Sequence, residues 1–248
     1  MKLTHDKIET TPTLLIVLVI LVVAVGGLVE IVPLYFQRAT TEAVKGIKPY
    51  EPLRLVGRDI YIREGCYNCH SQMVRPFRHE TERYGEYSKA GEFVYDHPFQ
   101  WGSKRTGPDL HRVGGKYPSL WHVRHMREPA STTPGSVMPR YPHILATPTD
   151  VSLVEAKMRA MRTLGVPYAD GDIETARASL EAQAVAIAAE VEAQQGPRGL
   201  ADKEIVALTA YLQRLGTDIR WRREAPPALD LVPATPAVAP ASAAAGAR

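Results

Sequence analysis

Cys66-Tyr67-Asn68-Cys69-His70 contains both cysteines of the chain. Two thiols two residues apart, with histidine directly after the second, match the pattern for covalent attachment of a c-type haem. One short turn lets both sulfurs reach the two vinyl groups of a single porphyrin. It also delivers the adjacent imidazole of His70 to the iron as proximal ligand. Other readings explain less. A structural zinc site takes about four protein ligands, usually from two such knuckles, and there is no second cysteine pair. A thioredoxin-like pair shares the spacing without needing the histidine. A disulfide across two residues leaves His70 without a role.

The 248 residues allow one or two domains. Charges nearly balance, with 30 Lys and Arg against 27 Asp and Glu, so nothing points to a nucleic-acid partner. Thr13 to Val32 is almost wholly apolar, broken only by Glu30. Twenty helical residues rise roughly 30 Å, the thickness of a bilayer hydrocarbon core. A cleaved signal peptide is the competing reading, with Ala24-Val25-Gly26 as its cleavage site. The apolar run continues through Leu34-Tyr35-Phe36, so a peptidase would cut inside it, and a retained anchor is expected. Charges flanking the span mildly argue for the opposite orientation and do not settle it. The haem motif does, because c-type cytochromes receive their haem outside the bacterial cytoplasmic membrane. Glu30 then either reaches headgroup water or meets another membrane subunit.

The expected organisation is a cytoplasmic lead (1–12), a transmembrane anchor (13–36) and a connector (37–51). A periplasmic cytochrome c domain (52–220) follows, with a helical insertion at about 150–195, and a Pro/Ala-rich disordered tail (221–248) ends the chain. A helix is predicted from Leu53 to Glu64, stopped by Gly65. Gly, Pro and aromatics make 71–149 read as loops wrapped around a ligand. Further helices are predicted from Pro148-Thr149-Asp150 to about Arg162, from Asp172 to Gln195, and from Asp202 to Leu215. In the last, Ile205, Leu208, Leu212 and Leu215 share one stripe.

A six-coordinate haem needs a distal ligand, and Met73, Met126, Met138, Met158, Met161 and the histidines are the candidates. Met73 follows His70 too closely to cross the ring. Met158 and Met161 lie on the apolar side of a predicted helix, where methionine packs cores. Met138 sits in the loop Gly135-Ser136-Val137-Met138-Pro139. That loop resembles the Met-Pro loop of class I cytochromes c, so Met138 is the expected ligand. His122 or His125 is the alternative, although two histidines on one helical face are more often a surface pair. Thr106-Gly107-Pro108-Asp109-Leu110 resembles the cytochrome c loop whose proline carbonyl accepts a hydrogen bond from the proximal imidazole. That assigns the bond to Pro108. Gly57 and Tyr211 resemble the small–aromatic contact where the terminal helices of that class cross. The fold class expected is mainly α: one N-terminal transmembrane helix, then a class I cytochrome c-like domain with long loops and extra helices.

Longer stretches narrow the resemblance. Gly57 to Arg78, Gly91 to Leu110, and Gly27-Leu28-Val29-Glu30-Ile31-Val32-Pro33 are similar to the membrane-anchored monohaem subunit, subunit II, of the cbb3-type cytochrome c oxidases. The resemblance implies one covalent haem c and a chain set in the bacterial inner membrane with its haem domain periplasmic. It implies an electron-transfer subunit of a proton-translocating oxidase, with no oxygen-reducing site of its own. The electron comes from a dihaem cytochrome c subunit or a soluble cytochrome c and goes to the low-spin haem b of the large haem b/copper subunit. A small accessory subunit and a calcium ion near Ser103 belong to the same picture. Trp101 to Arg105 is then a docking loop, and Arg75, Arg78 and Arg105 are either propionate partners or solvated arginines. The small subunit of a nitric oxide reductase and a haem-based gas sensor remain as alternatives.

Overall fold

The computed structural model describes residues 4–219, so the expected tail at 221–248 lies outside the described residues. Helices dominate: α1 His5–Thr10, α2 Pro12–Tyr35, α3 Arg38–Thr41, α4 Pro52–Arg63, α5 Arg78–Tyr84 and α6 Ser119–Arg127. Then come α7 Pro129–Thr132, α8 His143–Ala146, α9 Val154–Thr163, α10 Asp170–Glu174, α11 Ala176–Ala193 and α12 Glu204–Arg214. Among the described residues the nearest approach to a sheet is one isolated antiparallel bridge, Pro148 to Lys203. Helix α2 is long and apolar enough to cross a membrane, and no residue of it is buried by the rest of the chain.

The core forms where α4 crosses α12. Gly57 permits the approach: a Cβ there would overlap the Ala207 carbonyl and sit 2.9 Å from Tyr211 Cβ. Tyr211 is fully buried, its ring 5.3 Å from that of Tyr61, and its hydroxyl accepts a 2.9 Å bond from Gln72 Nε2. Burying a large side chain this completely stabilises a fold by about 1.5–3 kcal/mol, and Leu53, Ile60, Ile205 and Leu208 add to the same contact. Arg58, also buried, donates to Asp96 at 2.9 Å and ties the loop before Trp101 to α4.

Three boundaries differ from expectation. Pro148–Asp150 does not open a helix: Thr149 N–H donates to the Asp202 carbonyl at 2.8 Å, and Glu204 N–H to the Thr147 carbonyl at 3.1 Å. That pairing holds the segment extended, and α9 begins at Val154. The predicted 172–195 helix is two helices parted at Thr175. Within 71–149, expected as loops, α5 and α6 are regular helices.

A cavity beside the Cys-x-x-Cys-His turn

Gly65, at φ 69°, ends the helical run after α4 in the left-handed conformation that glycine adopts without penalty, and a 3-10 turn Cys66–Asn68 follows. His70 N–H donates to the Cys66 carbonyl at 2.9 Å, closing the turn. No disulfide joins the two cysteines; Cys66 is half-buried and Cys69 exposed.

The Thr106–Leu110 loop is stitched to this turn by backbone bonds. Thr106 and Gly107 N–H donate to the Cys69 carbonyl at 2.9 and 3.0 Å, and Leu110 N–H to the Ser71 carbonyl at 2.9 Å. Asp109 locks the pairing from inside. Its carboxylate accepts from Ser71 Oγ at 2.6 Å, Met73 N–H at 2.7 Å and His111 N–H at 2.9 Å. The consequence is that Pro108 presents its carbonyl 2.8 Å from His70 Nδ1. A carbonyl only accepts, so the ring proton sits on Nδ1 and Nε2 keeps its lone pair. Burial, opposed by the Pro108 bond and Asp109, holds the imidazole below its ordinary range and therefore neutral at pH 7. Gly107 makes room for the ring: a Cβ there would stand 2.7 Å from Nδ1 and 2.9 Å from Nε2.

A cavity of about 530 Å³ opens at this point. That lies within the roughly 300–1,000 Å³ usual for cofactor clefts. Cys66, Cys69, His70 and Pro108 line it, and so do Met138, Met126, His122 and His125, with Leu110, Val113, Leu208 and Leu212 as apolar wall. The Met138 loop is held over it by Tyr141 N–H, which donates to the Met126 carbonyl at 2.8 Å. Met158 and Met161 are buried in the core instead, and neither they nor Met73 line the cavity. His122 is not a surface residue: it is buried, burial lowers its pKa to about 4, and its Nε2 has no hydrogen-bond partner. His125 donates to or accepts from Thr132 Oγ1 at 2.6 Å, and its ring stacks on Trp121 at 4.5 Å. A macrocycle carrying two vinyls fits this donor set: two thiols, one imidazole of fixed tautomer, further sulfur and nitrogen donors, and a mostly apolar wall.

Other expectations are corrected. Arg75, Arg78 and Arg105 do not line the cavity, because carboxylates elsewhere hold them. Arg105 pairs with Glu80, keeping that carboxyl below the usual range, and bonds Ser71 Oγ at 2.6 Å and the Met73 carbonyl at 2.9 Å. Arg78 pairs with Glu82 at 2.7 Å, and Arg75 lies 3.9 Å from Glu80. Ser103 gives no support to a calcium ion: its carbonyl accepts from the Arg75 guanidinium at 2.8 Å, a poor neighbour for a cation. Gly107, Asp109 and the Arg105–Glu80 pair escaped sequence reading. Only the Pro-Asp turn hinted at the second.

The model of the family described as "Cytochrome C oxidase, mono-heme subunit/FixO" matches residues 5–219. No curated protein matches the chain.

Proposed function

The chain belongs to the mono-haem subunit family of the cytochrome c oxidases, and on that premise we propose that it relays single electrons within a cbb3-type oxidase. The electron arrives from a dihaem cytochrome c subunit or a soluble cytochrome c. It leaves to the low-spin haem b of the large haem b/copper subunit. The family's one haem c supplies the one-electron iron chemistry when bound.

Cys66 and Cys69 provide the two thiols for thioether attachment. His70 would hold the iron; Pro108 keeps its proton at Nδ1 and so leaves Nε2 with its lone pair for the metal. What supports this role most is the 2.8 Å contact between that nitrogen and the Pro108 carbonyl. Met138, which lines the cavity, would hold the iron through its sulfur, and a methionine–histidine pair would raise the reduction potential, as suits a late carrier. The apolar wall excludes water and limits rearrangement on electron transfer. Helix α2 anchors the chain by a single pass, with the haem domain on the periplasmic face. Phe99 and Trp101, stacked at 5.1 Å and both exposed, form the docking surface toward the large subunit. Arg105 is not part of it, being held by Glu80.

Optical spectra of single variants test the ligand set. Met138→Ala and Met138→His are expected to lose the weak near-infrared sulfur-to-iron band, whereas Met126→Leu and His122→Phe keep it. Survival of the band in Met138→Ala moves the ligand elsewhere. A wild-type chain without a pyridine haemochrome signal overturns the carrier role altogether.

A further inference from the structure

Four charged side chains line the cavity: Arg83, Asp109, Arg112 and Lys116. Two are already committed. The Asp109 carboxylate takes the three hydrogen bonds that lock its own loop. Arg112 spends four of the five guanidinium N–H groups on Glu92, through both oxygens, and on the Glu86 and Tyr87 carbonyls at 3.1 and 3.3 Å. Arg83 and Lys116 differ. Neither makes an ion pair with any described residue; Arg83 only lies over the Tyr84 ring, 5.2 Å from its centroid. Arg112 brings their two segments together, since it ties the residues just after α5 to the turn in which Lys116 N–H donates to the Val113 carbonyl at 3.0 Å.

A haem carries its two propionates on the edge away from its vinyl groups. Cys66 and Cys69 fix the vinyl edge at the 66–69 turn, so the carboxylates meet another stretch of wall. Two carboxylates entering a largely apolar cleft need charge partners that are not already spent. We propose that Arg83 and Lys116 are those partners, one for each propionate, with Arg112 held back by Glu92 as the strut that positions them. This rests on the haem-carrier function above, and it replaces Arg75, Arg78 and Arg105 in that role.

The test uses the full-length chain purified in detergent with its haem attached. Haem content is read by pyridine haemochrome and the midpoint potential by redox titration. A cation beside the propionates favours the reduced haem, so its removal favours the oxidised form. Arg83→Gln and Lys116→Gln are each expected to shift the one-electron equilibrium about threefold toward oxidised, and the double variant about tenfold. Tenfold corresponds to about 59 mV. Arg83→Lys and Lys116→Arg keep the wild-type potential, and so do Arg75→Gln and Arg78→Gln. Carboxylate bands in redox-difference infrared spectra move in each Gln variant at these two positions, and most in the double variant, while those of Arg75→Gln and Arg78→Gln stay in place. A double variant with full haem content, unmoved potential and unmoved bands overturns the assignment while leaving the carrier function intact. A wild-type chain lacking haem overturns that function instead.

Discussion

Replacing Gly107 by alanine places one methyl against the face of His70. Ordinary van der Waals contact begins near 3.4 Å, yet the new Cβ would stand 2.7 Å from Nδ1 and 2.9 Å from Nε2. The loop cannot retreat, because the Gly107 and Thr106 N–H groups are both bonded to the Cys69 carbonyl. Cε1 of the ring would be closer still, so the imidazole must move by more than the 3.4 − 2.7 = 0.7 Å that Nδ1 alone requires, which strains or breaks its 2.8 Å bond to Pro108. Overpacking of this kind costs about 1–3 kcal/mol, and the lost hydrogen bond accounts for about 0.5–1.5 kcal/mol within that range. For a chain of this size each kcal/mol lowers Tm by about 2–4 °C, so a fall of about 2–12 °C is expected. Losing the Pro108 bond also makes the ring a poorer electron donor, so the midpoint potential rises. Thermal melts and redox titrations of the haem-loaded chain measure both. Gly171→Ala is the control: nothing lies within 4 Å of a Cβ there, and helix α10 gains about 0.5–1 kcal/mol from alanine. If Gly107→Ala melts and titrates like the wild type, the loop does not press on the proximal imidazole and the reasoning fails.

Gly57→Ala drives a methyl into the Ala207 carbonyl, which is backbone and cannot rotate away. It is expected to lower Tm at least as much as Gly107→Ala, about 1–3 kcal/mol or more, and the haem absorption bands that report the axial ligands stay in place. An unchanged melt shows that α4 and α12 do not cross so closely. His122, lowered to about 4 by burial with His125 adding repulsion against the pull of Glu190, makes stability fall with acid. The unfolded chain binds its proton near pH 6.5 and the folded one only near 4. The contribution is therefore whole above 6.5 and lost as pH drops between those values. Denaturant titrations of His122→Phe should show a flatter slope across that window, and an identical slope means His122 is not buried neutral.

What local sequence reveals depends on where the competing forces lie. The helix before the cysteines is legible because its stop is a glycine whose positive φ is a property of that residue alone. The stripe Ile205, Leu208 and Leu212 is legible because a periodic apolar face needs no knowledge of its partner. Pro148–Asp150 misleads for the opposite reason. Its N-cap chemistry is real, but hydrogen bonds to Asp202 and Glu204 from across the fold outweigh it. Helix α6 is hidden likewise, since Trp121, His122, Val123 and His125 are indifferent helix formers; burial of Leu120, Val123 and Met126 stabilises it instead. The contact between His70 and Pro108 joins residues 38 apart, which no spacing rule places together, so only resemblance to class I cytochromes c anticipates it.

Arginines show the same limit most sharply. Arg75, Arg83, Arg105 and Arg112 read alike in one dimension, and each is an equally good fork for a carboxylate. Their partners come from 20 or 25 residues away: Glu92 for Arg112, Glu80 for Arg105. Only after those pairs are drawn does the wall of the cavity separate into spent and unspent charge. A cofactor that brings two carboxylates selects among the unspent, so its charge partners are identified by subtraction. Motif and spacing can name the residues that bond its iron and vinyls. The groups that neutralise its rim emerge only when the fold has settled every other ion pair.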